Sequence, residues 1–250
     1  MENLNDLYII TDFDHTLTTK DSPSSTDVIV YNNIFPKVYT KAHEEIDKKF
    51  SVYEKDLTIP YKEKYKLMYD WTAESLNLLK EYKITKRQFD DAINYKESMI
   101  LRKKVNEFLK FTYDNNIPVI IISAGIENSI KAFLKNNNLL FPNISIISNE
   151  IIFENNYIKG TKGKLLHSMN KNEIEYPKEI YEKIKDKKNA LIFGDNISDT
   201  LMAPQNKEVI KFGFTNSSDE KEIQEYKKSF DYICESPDTF NSPLDKLKVK

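Results

Sequence analysis

The chain has 250 residues, 40% hydrophobic and 30% charged, with a net charge of −2. That length suits one large domain or a core with a smaller insert. The composition excludes a disordered chain, and the charge argues against a protein whose task is to grip a phosphate backbone. A lysine cluster at 183–188 reads as a solvated helix face, and the single cysteine, Cys234, leaves no internal disulfide and fits a reducing compartment. The acidic, polar opening does not read as a secretory signal, and no apolar run approaches the ~20 residues of a membrane span. The expectation is a cytoplasmic, monomeric protein with neither a membrane nor a nucleic acid as partner.

In chain order, residues 7–10 (Leu-Tyr-Ile-Ile) form an apolar run of the length of a buried parallel strand. From 20 to 113 no such run recurs. Helical periodicity instead occupies 37–49, 61–82, 86–97 and 101–113, with Pro36 and Pro60 near two of the starts, where proline is tolerated. Strand-like runs resume at 119–122, 144–147, 191–193 and 209–212, with helical segments at 127–136, 178–187 and 220–228. Between 147 and 160, two short extended runs flank Glu154-Asn155-Asn156, a hairpin signal. Strand alternating with helix predicts a doubly wound, mostly parallel α/β core from 1–19 and 114–250, with 20–113 as a helical insert.

The chemistry gathers where strands end. The first runs into Thr11-Asp12-Phe13-Asp14-His15-Thr16, and carboxylates at a strand's C-terminal end fall where open α/β sheets build their sites. The second ends in Ser123-Ala124-Gly125, which offers a hydroxyl and backbone N–H groups to an anion, or simply a serine-capped turn. A later strand ends in Gly194-Asp195, with Asp199 four residues on. Asp12, Asp14 and Asp195 supply the hard oxygen ligands that Mg²⁺ requires. One of Lys162, Lys164 and Lys171 is expected to neutralise a phosphate, and spacing alone does not choose among them.

The ordered set Asp-x-Asp-x-Thr, Ser, Lys and Gly-Asp-x-x-x-Asp resembles the haloacid dehalogenase (HAD) superfamily. The resemblance implies Asp12 as nucleophile and Asp14 as general acid and base. It also implies Mg²⁺ on Asp12, the Asp14 carbonyl and Asp195, with Asp199 in support, and phosphate at Ser123, Ala124 and Gly125. An acid at the second position implies a phosphatase rather than a dehalogenase. Through most of its length the chain is further similar to the cytosolic 5′-nucleotidase III (pyrimidine 5′-nucleotidase) family. The similarity runs through Ile122-Ser123-Ala124-Gly125-Ile126, the 158–167 stretch with Lys-Gly-Thr-Lys-Gly-Lys, Asn170-Lys171, and Gly194-Asp195 onward to Met202-Ala203.

That likeness selects Lys171 among the lysines and makes the insert a cap that selects the nucleoside. Glu54 then matches a base-contacting Glu, and Ser75 a Ser on the phosphate side. Trp71, the single tryptophan, either stacks on a base or anchors the cap's own core. Several family members carry a longer, cysteine-bearing segment after the first motif, where this chain has a serine-rich one at 20–33. Thr72 and Leu76 also stand where relatives have bulkier or titratable groups. The implied activity is Mg²⁺-dependent hydrolysis of a nucleoside 5′-monophosphate, pyrimidine preferred. The alternatives are another small phosphomonoester such as a phosphosugar or phosphoserine, transfer to a second nucleoside, or a fold retained for binding alone.

Overall fold

The computed structural model describes residues 3–54, 56, 58–94, 99–215, 217, 219–234 and 238–248. The elements in order are β1 (Leu7–Thr11), α1 (Asp27–Val30), α2 (Lys37–Glu54), α3 (Tyr61–Glu81), α4 (Lys86–Ile93), α5 (Val105–Asp114), β2 (Val119–Ile126), α6 (Glu127–Asn136) and β3 (Ile144–Asn149). Then follow β4 (Ile151–Glu154), β5 (Tyr157–Thr161), α7 (Lys178–Ile184), β6 (Asn189–Gly194), β7 (Glu208–Gly213), α8 (Glu220–Ser229), β8 (Tyr232–Ile233) and α9 (Asn241–Lys248).

Six strands form one parallel sheet in the order β3-β2-β1-β6-β7-β8. The sheet is apolar on both faces because alternate residues serve opposite cores. Leu7, Ile9, Val119, Ile121, Leu191 and Phe193 enter one cluster, whereas Tyr8, Ile10, Ile120, Ile122 and Ile192 enter the other. Truncating one of these side chains to alanine costs about 2–5 kcal/mol. Chain order reverses between β1 and β6, and the crevice beyond the carboxyl ends at such a switch point is where open α/β sheets bind ligands.

Among the described residues of 20–113, five helices form and no strand joins the large sheet. Pro60 caps α3, and a Thr85/Gln88 capping box starts α4. The predicted helix at 86–97 ends at Ile93, and positions 95–98 lie outside the described residues. The predicted helix at 101–113 begins later, at Val105, because the Arg102 N–H donates to the Leu17 carbonyl and the Lys103 N–H to the Asp238 carbonyl, strand-like contacts that a helix would break. Its Phe108 packs on Phe193 and Phe240, which ties α5 to the sheet. The hairpin forms as predicted: β4 and β5 pair antiparallel, and both Asn155 and Asn156 take positive φ, as the favoured two-residue turn requires. No helix among the described residues is long and apolar enough to cross a membrane.

Candidate active site

The loop after β1 is held before any ligand is considered. The Asp12 N–H donates to the Phe193 carbonyl at 3.0 Å, and the N–H groups of Thr16, Leu17 and Thr18 converge on the Phe13 carbonyl. This winding puts His15 at φ +57°. Beneath it lies Arg102, fully buried over the Phe214 ring, donating from Nε to the Thr16 carbonyl at 2.8 Å and from Nη2 to the His15 carbonyl. Arg102 thus replaces the sheet partners that a loop of exposed carbonyls lacks.

On this platform Asp12 meets Lys171, Asp195 and Asp199. Lys171 is buried and donates to Asp12 Oδ1 at 2.9 Å and to Asp199 Oδ1 at 2.6 Å. Asp199 also accepts the Asn196 N–H at 3.0 Å, closing a capping box, and a side chain on Gly194 would strike it at 2.3 Å. Asp195 takes the Thr16 hydroxyl at 3.0 Å, and its backbone carbonyl accepts from the Tyr226 hydroxyl. Asn170 explains how Lys171 arrives. Its side chain bonds the Leu165 carbonyl and the His167 N–H, folding the preceding loop into a turn.

Asp12, Asp195 and Asp199 bring carboxylate oxygens within 4.8 Å of one another. One ammonium against three carboxylates leaves this buried cluster short of positive charge. Burial pushes Asp195 up to about 7, with Asp199 adding repulsion. Asp12 is likewise raised by burial, against the pull of Lys171. Burial opposes the charge on Lys171, but Asp12 and Asp199 outweigh it and hold the amine above its usual range. An all-oxygen donor set with excess negative charge fits a hard divalent cation.

Asp14 points elsewhere. Its Oδ1 accepts the Ser25 N–H at 2.7 Å and its Oδ2 the Ser25 hydroxyl at 2.6 Å. Burial raises its pKa, and the two bonds from Ser25 offset part of the rise. Gly125 makes this pairing possible, since a Cβ there would sit 1.9 Å from Ser25 Oγ and 2.6 Å from Asp14 Oδ2. Ser123 Oγ accepts the Gly125 N–H at 3.0 Å, and Asn149 ties the Ala124 carbonyl to the Leu166 backbone.

The cluster opens into a cavity of about 820 Å³ lined by Asp12, Asp14, Ser123, Lys171, Asp195 and Asp199. A second cavity of about 290 Å³ is lined by Trp71, Ser75, His43 and Asp47 from the helices. Asp14, His15, Glu54, Ala124, Gly125 and Ser168 line both, so the two share a wall. All the residues that the family resemblance implied for the site border one cavity or the other. Lys162 and Lys164 do not: they pair with Glu150 and Glu173 at the surface. Ser25, Arg102, Asn149, His43 and Asp47 were not found by sequence reasoning. Only the serine-rich stretch around Ser25 offered a signal.

A parallel sheet of this order, with acids at the ends of β1 and β6 and a buried lysine between them, defines a HAD-fold phosphatase. The fold is shared with a substrate-bound phosphoserine phosphatase (TM-score 0.59, 18% identity, 96% of this chain and 97% of that one). The chain belongs to the pyrimidine 5′-nucleotidase (UMPH-1) family, whose sequence profile matches residues 8–249. It is 31% identical over 245 residues to the human 7-methylguanosine phosphate-specific 5′-nucleotidase, covering 94% of this chain and 81% of the relative. To the Drosophila melanogaster protein of the same name it is 27% identical over 254 residues, covering 97% and 79%. Among solved structures it is similar to cytosolic 5′-nucleotidase IIIB bound to cytidine, with TM-score 0.86, 25% identity, and coverage of 96% and 84%.

Proposed function

We propose that this protein hydrolyses nucleoside 5′-monophosphates, pyrimidine preferred, through an aspartyl-phosphate on Asp12. The observation that carries the reading is the shared wall. The lysine–carboxylate cluster opens beside a helix-lined cavity containing the single tryptophan, so a phosphate and a base can be held at once. In this reading α2–α4 form a cap that selects the base through Glu54 and Trp71, with Ser75 on the phosphate side.

Asp12 attacks phosphorus, forming an O–P bond as the ester O–P bond breaks. The departing nucleoside 5′-oxygen takes the proton of Asp14, whose pKa is raised by burial and which is therefore suited to hold one. Asp14 then removes a proton from water, the water oxygen attacks phosphorus, and Asp12 leaves as carboxylate with inorganic phosphate formed. Lys171, 2.9 Å from Asp12, counters the charge that gathers on the phosphoryl oxygens, and the Ser123 hydroxyl and Gly125 backbone hold them. Mg²⁺, on Asp12, the Asp14 carbonyl and Asp195 with Asp199 in support, would supply the charge neutralisation that the cluster lacks.

A second substrate, 7-methylguanosine monophosphate, is favoured by one observation. Asp27, Asp47 and Glu54 all line the smaller cavity, and N7-methylation gives guanine a fixed positive charge.

The test is phosphate release from CMP, UMP, 7-methylguanosine monophosphate, phosphoserine and phosphosugars, with Mg²⁺ or EDTA and Asp12→Asn as blank. Mg²⁺-dependent release from pyrimidine nucleotides, absent in the blank, is expected. Release from non-nucleotides alone would overturn the nucleotidase reading while leaving the phosphatase chemistry.

A further inference from the structure

Lys171 is fixed at its tip, where the ammonium spans Asp12 and Asp199, but the loop that carries it is held internally by short-range turns alone. The Asn170 N–H returns to the His167 carbonyl, and the Glu173 N–H to the Asn170 carbonyl. A loop of this kind keeps a side chain in place only as well as its surroundings anchor it.

Beyond Lys171 itself, the hydrogen bonds that leave residues 167–173 for a helix or strand all run, among the described residues, to α3. Tyr61, Tyr65 and Tyr69 stand four residues apart and so share one face of that helix. The Tyr61 hydroxyl donates to the Met169 carbonyl at 3.1 Å, and the Tyr65 hydroxyl donates to Glu173 Oε2 at 3.1 Å. The buried His167 ring meets the Tyr65 ring at 4.6 Å and 88°, and the Tyr69 ring at 6.0 Å and 86°. Its Nδ1 accepts the Met169 N–H at 3.3 Å, which ties the ring to the backbone two residues before Lys171. The tyrosines therefore grip the loop at 167, 169 and 173, on both sides of Lys171. The same helix supplies Trp71 and Ser75 to the smaller cavity, so one element both borders that cavity and holds the lysine's loop.

We propose that this tyrosine face is a clasp that sets the position of Lys171 during the reaction, with Tyr65 as the main positioning residue and Tyr61 as the second. The inference rests on the role of Lys171 proposed above and goes beyond it, because it makes the ammonium's placement depend on a helix outside the sheet. A charged group stabilises the phosphoryl oxygens only from the right place, and a displacement of about 1 Å can cost on the order of 10²-fold in rate. Loss of the clasp should therefore act on kcat, whatever leaving group the phosphate carries.

The experiment measures kcat and KM on p-nitrophenyl phosphate and on CMP for Tyr65→Leu, Tyr65→Phe and the combined Tyr61→Phe, Tyr65→Phe protein. Each is made in the wild-type and in the Lys171→Met background, with thermal unfolding to identify the folded variants. Tyr65→Leu should lower kcat about tenfold on both substrates with KM little changed. Tyr65→Phe keeps the ring and gives up only the bond to Glu173, so it should retain most of the activity, with the combined variant falling between. In the Lys171→Met background, Tyr65→Leu should add less than about a twofold loss, because the group it positions is gone. A purely structural role gives the same fold loss in both backgrounds, and that additivity would overturn the inference. So would a loss confined to CMP, which would assign the tyrosines to nucleotide binding, or a folded Tyr65→Leu protein with wild-type kcat. If Tyr65→Leu does not fold, the combined variant, which removes two hydrogen bonds and no ring, carries the same comparison. If Lys171→Met alone leaves kcat on p-nitrophenyl phosphate unchanged, the proposed role of Lys171 falls and the inference falls with it.

Discussion

The two halves of the site are finished to different degrees. At the carboxyl ends of the strands the carboxylates and the lysine have protein partners: Lys171 spans Asp12 and Asp199, Asp14 is gripped twice by Ser25, and Asp195 holds Thr16, while Arg102 Nη1 and His167 Nε2 behind them stay unpaired. Across the shared wall, the helical side leaves His43 Nε2 and Ser75 Oγ unpaired. Prebuilt electrostatics need no reorganisation at the moment of reaction, and this suits groups that act on every phosphate alike. Unpaired groups gain energy only from a ligand that fits them, and this suits selection. In the proposed reading the contrast separates the chemistry, carried by the sheet, from the choice of substrate, carried by the helices.

The largest expected effect comes from removing the charge that the sheet side is built around. Lys171→Met should lower kcat about 10²–10³-fold, as loss of one preorganised charge-stabilising group does elsewhere. It should also destabilise the protein, because Asp12 and Asp199 lose a buried partner. Thermal unfolding with and without Mg²⁺ sharpens the point, since the cation should restore part of the lost midpoint in the variant. A variant of wild-type stability would break the claim that Lys171 is the cluster's main internal counter-charge. Gly125→Ala comes next. The added methyl must displace Ser25 from Asp14, for about 1–3 kcal/mol of stability and a comparable or greater loss in kcat. Unchanged pH–rate behaviour in this variant would show that the Asp14–Ser25 contact does not set the protonation of Asp14.

Much of the sheet side was legible in the sequence because its residues sit in short runs touching apolar strands. Asp12 and Asp195 directly follow β1 and β6, with Asp14 two and Asp199 four residues further on, and Ser123 to Gly125 lie near the end of β2. The alternation of such runs with helical periods sufficed for the parallel sheet. Ser25 and Arg102 escaped because their roles depend on contacts 11 and 86 residues away in the chain. His43 and Asp47 escaped because an imidazole and an acid four apart on a polar helix look like any solvated pair until the fold buries one of them. Three elements left too faint a pattern to read. Helix α1 has four residues and β8 two, and α9, with Pro243 in its first turn, is largely polar.

On the helical side the expected effects are smaller and depend on the substrate. Glu54→Gln should lower kcat/KM for nucleotides about 10–100-fold relative to p-nitrophenyl phosphate, the range of a charge-assisted hydrogen bond. Equal losses on both substrates would place Glu54 with the chemistry rather than with selection.

The smallest effect concerns the seam where the two regions meet. His167 lies in the loop leading to Lys171, fully buried with its ring edge-on to Tyr65 and Tyr69 of α3, and burial lowers its pKa from 6.5 to about 4. The unfolded chain therefore binds a proton at higher pH than the folded one. The neutral ring's contribution is complete above pH 6.5 and is lost as pH falls towards 4. At pH ~5 the linked loss is about 1–2 kcal/mol. Other carboxyl groups titrate in the same window, so the informative quantity is a difference. His167→Gln should be less stable than wild type near neutrality, and the gap should narrow as pH is lowered through this range. Denaturant midpoints measured across the window check it, and a constant gap would mean that the seam is held by packing of the tyrosines alone, with the charge state of the imidazole irrelevant to how α3 grips the loop of Lys171.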